Sequence, residues 1–220
     1  MENTFSEKES FELISQMIHS AKNNLQKGSG RIFLLWGYLV AIISLVNLLF
    51  LFILPQDISY YSYYIWFLMA GGIFFHFRFV KQYNAQQKVK TYVDRVLDFV
   101  WIAFSISIFT LIAGMLLISL LNTFHKTEGL FGIFEWIHWA FLVPSMLILY
   151  GFALFVSGKA YQFRPLVTGA VVCWASTIAL CAFYRSGYYM EIQLVALMIS
   201  AIAGYIVPGH LLTAKEKSNV

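Results

Sequence analysis

Between Ile32 and Leu54 the chain carries only one strongly polar side chain, Asn47. An apolar run of about 20 residues is long enough to cross roughly 30 Å of hydrocarbon. Within hydrocarbon the backbone finds no water to bond, so such a run must satisfy its N–H and C=O groups internally, as a helix. Five further runs of this kind follow, at about 60–80, 96–121, 134–156, 166–184 and 191–212. The expected fold is therefore all-α: a polytopic membrane bundle of six transmembrane helices, occupying about 31–213, with a short tail at 214–220. Composition agrees. Hydrophobic residues make up 60% of the chain and charged residues 12%, against about 45–50% and 25% in a soluble domain. The net charge of +4 does not suggest nucleic-acid binding, and its meaning lies in where the cations fall.

They fall on alternate connections. The long polar interruption from His76 to Asp98 holds five of the fifteen cations, namely Arg78, Lys81, Lys88, Lys90 and Arg95. Residues 55–59 hold none. Only Lys126 and Arg185 lie on the side opposite the N-terminus, while Lys159, Arg164, Lys215 and Lys217 lie with it. The positive-inside rule then places both termini in the cytoplasm. Aromatics cluster at the expected boundaries, with Tyr60, Tyr61, Tyr63, Tyr64, Tyr184, Tyr188 and Tyr189 outside and Tyr83, Tyr92, Tyr161 and Phe163 inside, as headgroup anchors do.

Residues 1–30 are different in kind. Glu2, Glu7, Glu9 and Glu12 argue against a cleavable signal peptide. Phe11, Ile14, Ile18, Ala21 and Leu25 recur at spacings of three and four, opposite Glu9, Glu12, Gln16, His19, Lys22 and Asn23. This pattern predicts a cytoplasmic amphipathic helix over 5–26, broken at Gly28-Ser29-Gly30. Its apolar stripe suits the bilayer interface, a protein partner or a second copy of the chain.

Small residues predict where helices approach closely: Ala196, Ser200 and Gly204 in the sixth run, Ala175 and Ala179 in the fifth, and Gly71, Gly72, Gly114, Gly151 and Gly169 elsewhere. Pro144 and Pro208 each remove a backbone donor and predict kinks. Cys173 and Cys181 sit too far apart on one helix to bond, and read as small buried hydrophobes.

Three ionisable residues form the candidate polar membrane site. Asp94 and Asp98 open the third run one turn apart, and His76 lies one turn inside the end of the second. A carboxylate or imidazole at membrane depth suggests function, while acids in a first helical turn also simply favour the helix N-terminus. A His76–Asp98 pair between neighbouring helices is the sharpest form of this expectation. Arg78 reads as a cation reaching back to the headgroups. Glu135 and His138 have Glu-x-x-His spacing, but a di-iron bundle needs a second such motif and two more glutamates. An outer zinc site would have to draw on His125, Glu128, Glu135, His138 and Glu191. There is no phosphate-binding loop, HExxH or CxxC, so the expectation is no enzyme, no cofactor and no resident metal.

Several passages carry a resemblance: residues 10–25 (SFELISQMIHSAKNNL), 33–40 (FLLWGYLV), 88–104 (KVKTYVDRVLDFVWIAF), 149–174 (LYGFALFVSGKAYQFRPLVTGAVVCW) and 202–212 (IAGYIVPGHLL). The chain resembles a family of small bacterial six-span inner-membrane proteins with no activity or site residues to carry over. The resemblance implies an inner-membrane location and an association with small winged-helix regulators. The resulting expectation is a non-catalytic membrane partner or sensor. Its contacts would be Phe11, Ile14, Ile18 and Leu25 with Lys81, Lys88 and Lys90. The alternative is a small transporter or channel built on the Asp/His site.

Overall fold

A computed structural model describes residues 11–12, 15, 29–55, 58–86, 92–124 and 139–218, and no β-strand occurs among them. In chain order the elements are α1 (Ser29–Ile53), a 3-10 helix (Ser59–Leu68) running into α2 (Met69–Gln86), α3 (Tyr92–Phe124), α4 (Leu142–Ala160), α5 (Arg164–Ala182) and α6 (Tyr189–Ala201), which passes through a π-helical turn (Ile202–Ile206) into α7 (Val207–Ser218). These form six helical stretches long and apolar enough to cross a membrane. Of the helix expected over 5–26, Phe11, Glu12 and Ser15 are described and helical, with Phe11 exposed. Ile14, Ile18, Leu25, Lys88, Lys90, Glu135 and His138 lie outside the described residues.

Four of the six stretches make the core. α1 packs along α6 and α7, those pack on α5, and α5 packs on α4. α2 leans on α1 and α3 on α4, at the two flanks. The buried face of α1 is Gly30, Phe33, Gly37, Val40, Ile43, Ser44 and Asn47. The spacing is helical, and small or polar residues share the face with Phe33, Val40 and Ile43, while Ile42, Leu45, Leu49 and Phe52 point outward. Where lipid is as apolar as leucine, helices associate through close packing and hydrogen bonds, and small residues allow both.

Backbones come close where Gly169 of α5 crosses Gly204 of the π-turn. A Cβ on Gly169 would run into the Gly204 Cα and reach 2.9 Å from the Ala203 carbonyl oxygen. On α6 and its continuation the predicted stripe of Ala196, Ser200 and Gly204 is buried, and Ser200 Oγ donates to Ser176 Oγ at 3.4 Å. The stripe predicted for α5 is corrected. Ala175 and Ala179 are exposed, and the inward face is Gly169, Cys173, Thr177 and Leu180. Gly71 and Gly114 meet nothing within 4 Å, so they mark no contact. Cys173 is buried as expected, but Cys181 is exposed.

Both prolines sit at helix irregularities rather than at simple kinks. Pro144 lies in the first turn of α4, just after a break at Phe141. Having no N–H, it leaves the Ala140 carbonyl without its i+4 donor. Gln193 Nε2 fills that place at 2.7 Å and Tyr189 Oη joins it at 3.1 Å. Pro208 follows the π-turn, in which Val207 N–H reaches back five residues to Ile202 O.

The 161–163 connection is tight. Phe163 N–H bonds Gly158 O at 2.8 Å and Gln162 N–H bonds Lys159 O at 3.2 Å, the bond pattern of a Schellman cap. The position usually given to glycine is held by Gln162, at φ 51°.

Candidate functional site

Neighbouring helices run antiparallel: Trp36 meets His76, Gly30 meets Thr213, and Phe104 meets Tyr150. Arg31, Arg78, Lys81, Arg95, Lys159, Arg164 and Lys215 therefore gather at one end of the bundle, here termed the basic end, with Arg185 at the other.

His76 is placed by a close approach one turn earlier, where Gly72 has no side chain and Leu39 and Trp36 of α1 fill the space. This brings the Trp36 ring to 5.8 Å from the imidazole, and Trp36 Nε1 donates to His76 Nδ1 at 3.1 Å. An indole N–H can only donate, so Nδ1 is the unprotonated acceptor in this arrangement. The imidazole thus ties α2 to α1. Most of α2's packing is on α1, and most of α3's is on α4.

On α3 the inward residues are Asp94 and Leu97, at 6% and 2% exposure, followed by the half-buried Trp101. Asp98 is exposed. Steps of three and four from Asp94 lead to Leu97 and Trp101, so Asp98 falls at the edge of that face.

Trp101 belongs to an aromatic hub outside the residues singled out as candidate sites above. Tyr205, in the π-turn, has ring contacts with Phe33 of α1 at 5.7 Å, Tyr150 of α4 at 5.5 Å and Trp101 of α3 at 6.4 Å. Five of the six stretches meet here once Cys173 of α5, which shares its hydrophobic cluster, is counted. The Tyr205 hydroxyl is buried without a hydrogen-bond partner, as are Ser44 Oγ, Asn47 Nδ2 and Ser157 Oγ. Asn47 Oδ1 does accept a bond, from Ser62 Oγ of the 3-10 helix at 2.8 Å. The signal that would have found the hub is Gly204-Tyr205 ahead of Pro208, since a proline forces its helix to adjust in the turn before it.

Among the described residues no three His, Cys, Asp or Glu side chains group as metal ligands. The arrangement defines a class: an all-helical bundle with six stretches suited to a membrane, cationic at one end, with polar side chains spent mainly on joining helices. No family model, curated protein or solved structure matches the chain.

Proposed function

We propose that the protein is a multi-pass protein of the bacterial inner membrane, with both termini in the cytoplasm, acting as a non-catalytic partner or sensor subunit. The observation that carries this reading is the looseness of the two flanking helices. None of the most apolar 18-residue stretch of α3 is buried and 6% of that of α2 is, against 33–44% in the other four. The connection between these two helices is the most cationic part of the sequence. A pair of weakly held helices joined by a charged segment suits contact with, or response to, another molecule. Lys81, Lys88 and Lys90 on that segment and the stripe Phe11, Ile14, Ile18 and Leu25 supply the cytoplasmic contact. The gathering of cations at one end supports the orientation.

Crosslinking in native membranes followed by affinity purification in mild detergent tests the function. A second protein, or a defined oligomer, recovered with the chain supports it, and recovery of the lone chain overturns it. Export of a reporter fused after Val220 overturns the orientation.

Buried polar atoms favour a second reading, a small transporter or channel. Ser44 Oγ, Asn47 Nδ2 and Tyr205 Oη lie inside the bundle without partners, and Asp94 is buried toward the basic end. Proteoliposome uptake that is lost in Asp94→Asn would replace the first reading with this one.

A further inference from the structure

α3 and α4 meet along one edge and leave an outward-facing groove of about 370 Å³. Val96, Phe99, Ala103 and Phe104 of α3 form one wall, and Leu149 and Phe152 of α4 the other. The groove opens where Ala103 is small beside Phe99 and Phe104, and Phe104 is turned onto Tyr150, with ring centres 5.0 Å apart. Ser107, the polar residue in the lining, donates to Ala103 O at 2.8 Å. Its hydroxyl is thereby satisfied on its own helix, and the groove is apolar throughout. With a water-sized group taking ~30 Å³ of liquid volume, the space suits on the order of ten methylene-sized groups in a row.

The groove has one charged mouth. Arg95 is exposed and lies one turn from Phe99 toward the basic end. Lys159 is exposed and lies two turns from Phe152 in the same direction and on the same face, its Nζ 5.5 Å from the centre of the Phe155 ring. Arg164 is exposed just past the 161–163 connection. The acids at this end of α3 are Asp94, buried, and Asp98, exposed, so cations are in excess at the surface. A second copy in the same membrane orientation would bring its own basic end to this level and be repelled. An amphiphile with a long apolar tail and a single anionic head matches both features.

We propose that the groove holds an acyl chain of an anionic phospholipid whose phosphate is drawn to Arg95 and Lys159. This rests on the membrane reading above. Full-length protein in mild detergent is offered dioleoyl phosphatidylglycerol or dioleoyl phosphatidylcholine, and bound lipid is counted by native mass spectrometry. The expected result is about tenfold preference for the anionic lipid. In Arg95→Gln/Lys159→Gln the preference falls to near parity with an unchanged melting temperature, while in Ala103→Trp both lipids are lost. Lys215→Gln, an exposed cation of α7 away from the groove, leaves the preference intact. Equal retention of the two lipids by wild type, or an equal loss in Lys215→Gln, overturns the proposal. Release of the chain from membranes by alkaline carbonate overturns the membrane reading itself, whereas equal retention by a chain that resists carbonate overturns only the lipid site.

Discussion

The core stretches and the flanking pair are all long and apolar enough to cross a membrane, yet they are held in different ways. α1, α4, α5 and α6–α7 meet through glycines, buried hydroxyls and side-chain bonds to backbone carbonyls, one of which Pro144 left open. α2 is held to α1 by Ser62–Asn47, by Gly72 under Leu39, and by Trp36–His76. α3 shows lipid-sized side chains over most of its surface, among them Phe99, Ile102, Ile106 and Phe109. In a membrane, then, hydrophobicity decides that a helix inserts, while small and polar residues decide what it touches.

The largest test of this contrast uses two glycines. Gly169→Val should cost about 3 kcal/mol or more, since the displaced group is backbone and cannot rotate away. Gly114→Ala on α3, where nothing lies within 4 Å, should be neutral or stabilising by up to about 1 kcal/mol. Unfolding of the two variants in detergent, read side by side, measures the difference; equal effects would break the division into core and flank.

Next in size is the bond that compensates for Pro144. Gln193→Ala should cost about 1–2 kcal/mol, because the Ala140 carbonyl keeps only Tyr189. In a Pro144→Ala background the restored N–H can take the same carbonyl, and the loss should shrink by half or more. A full-sized loss there would mean that Gln193 acts by packing alone.

Trp36→Phe should cost about 1 kcal/mol and act locally. Hydrogen exchange should rise in α2 while α4 and α5 keep their protection. A uniform rise across all helices would show that α2 is part of the core after all. The smallest effect expected is at the 161–163 connection, where Gln162→Gly relieves a left-handed backbone and should stabilise by at most about 1 kcal/mol. A loss of stability would show that the glutamine side chain contributes something its backbone geometry does not reveal.

Much of the helical content was legible because length and apolarity set it directly. Packing faces were less so. On α1 the inward face could be followed through Gly30, Gly37, Ser44 and Asn47, but on α5 two alanines at the right spacing faced outward while Gly169 and Cys173 did the packing. An apolar helix offers many small-residue stripes, and only the partner helix selects among them. The acids show the same limit: Asp94 and Asp98 look equivalent by spacing, and burial separates them. The Gln193 bond was recoverable in principle, because a proline implies an open carbonyl four residues back. Of the Tyr205 hub only the local irregularity ahead of Pro208 was recoverable, since its ring partners need five stretches placed together.

The 3-10 helix has a mechanical consequence. Ten residues at about 2.0 Å of rise reach about 20 Å, where an α-helix would reach about 15 Å. In this winding positions three apart eclipse, which is why Tyr61, Tyr64 and Phe67 stack in a ladder with ring centres 5.9 and 6.0 Å apart. Rewinding the segment as α would shorten it by about 5 Å, fan the ladder open and swing Ser62 away from Asn47. The stacked rings and that one hydroxyl act together as a latch on a drawn spring.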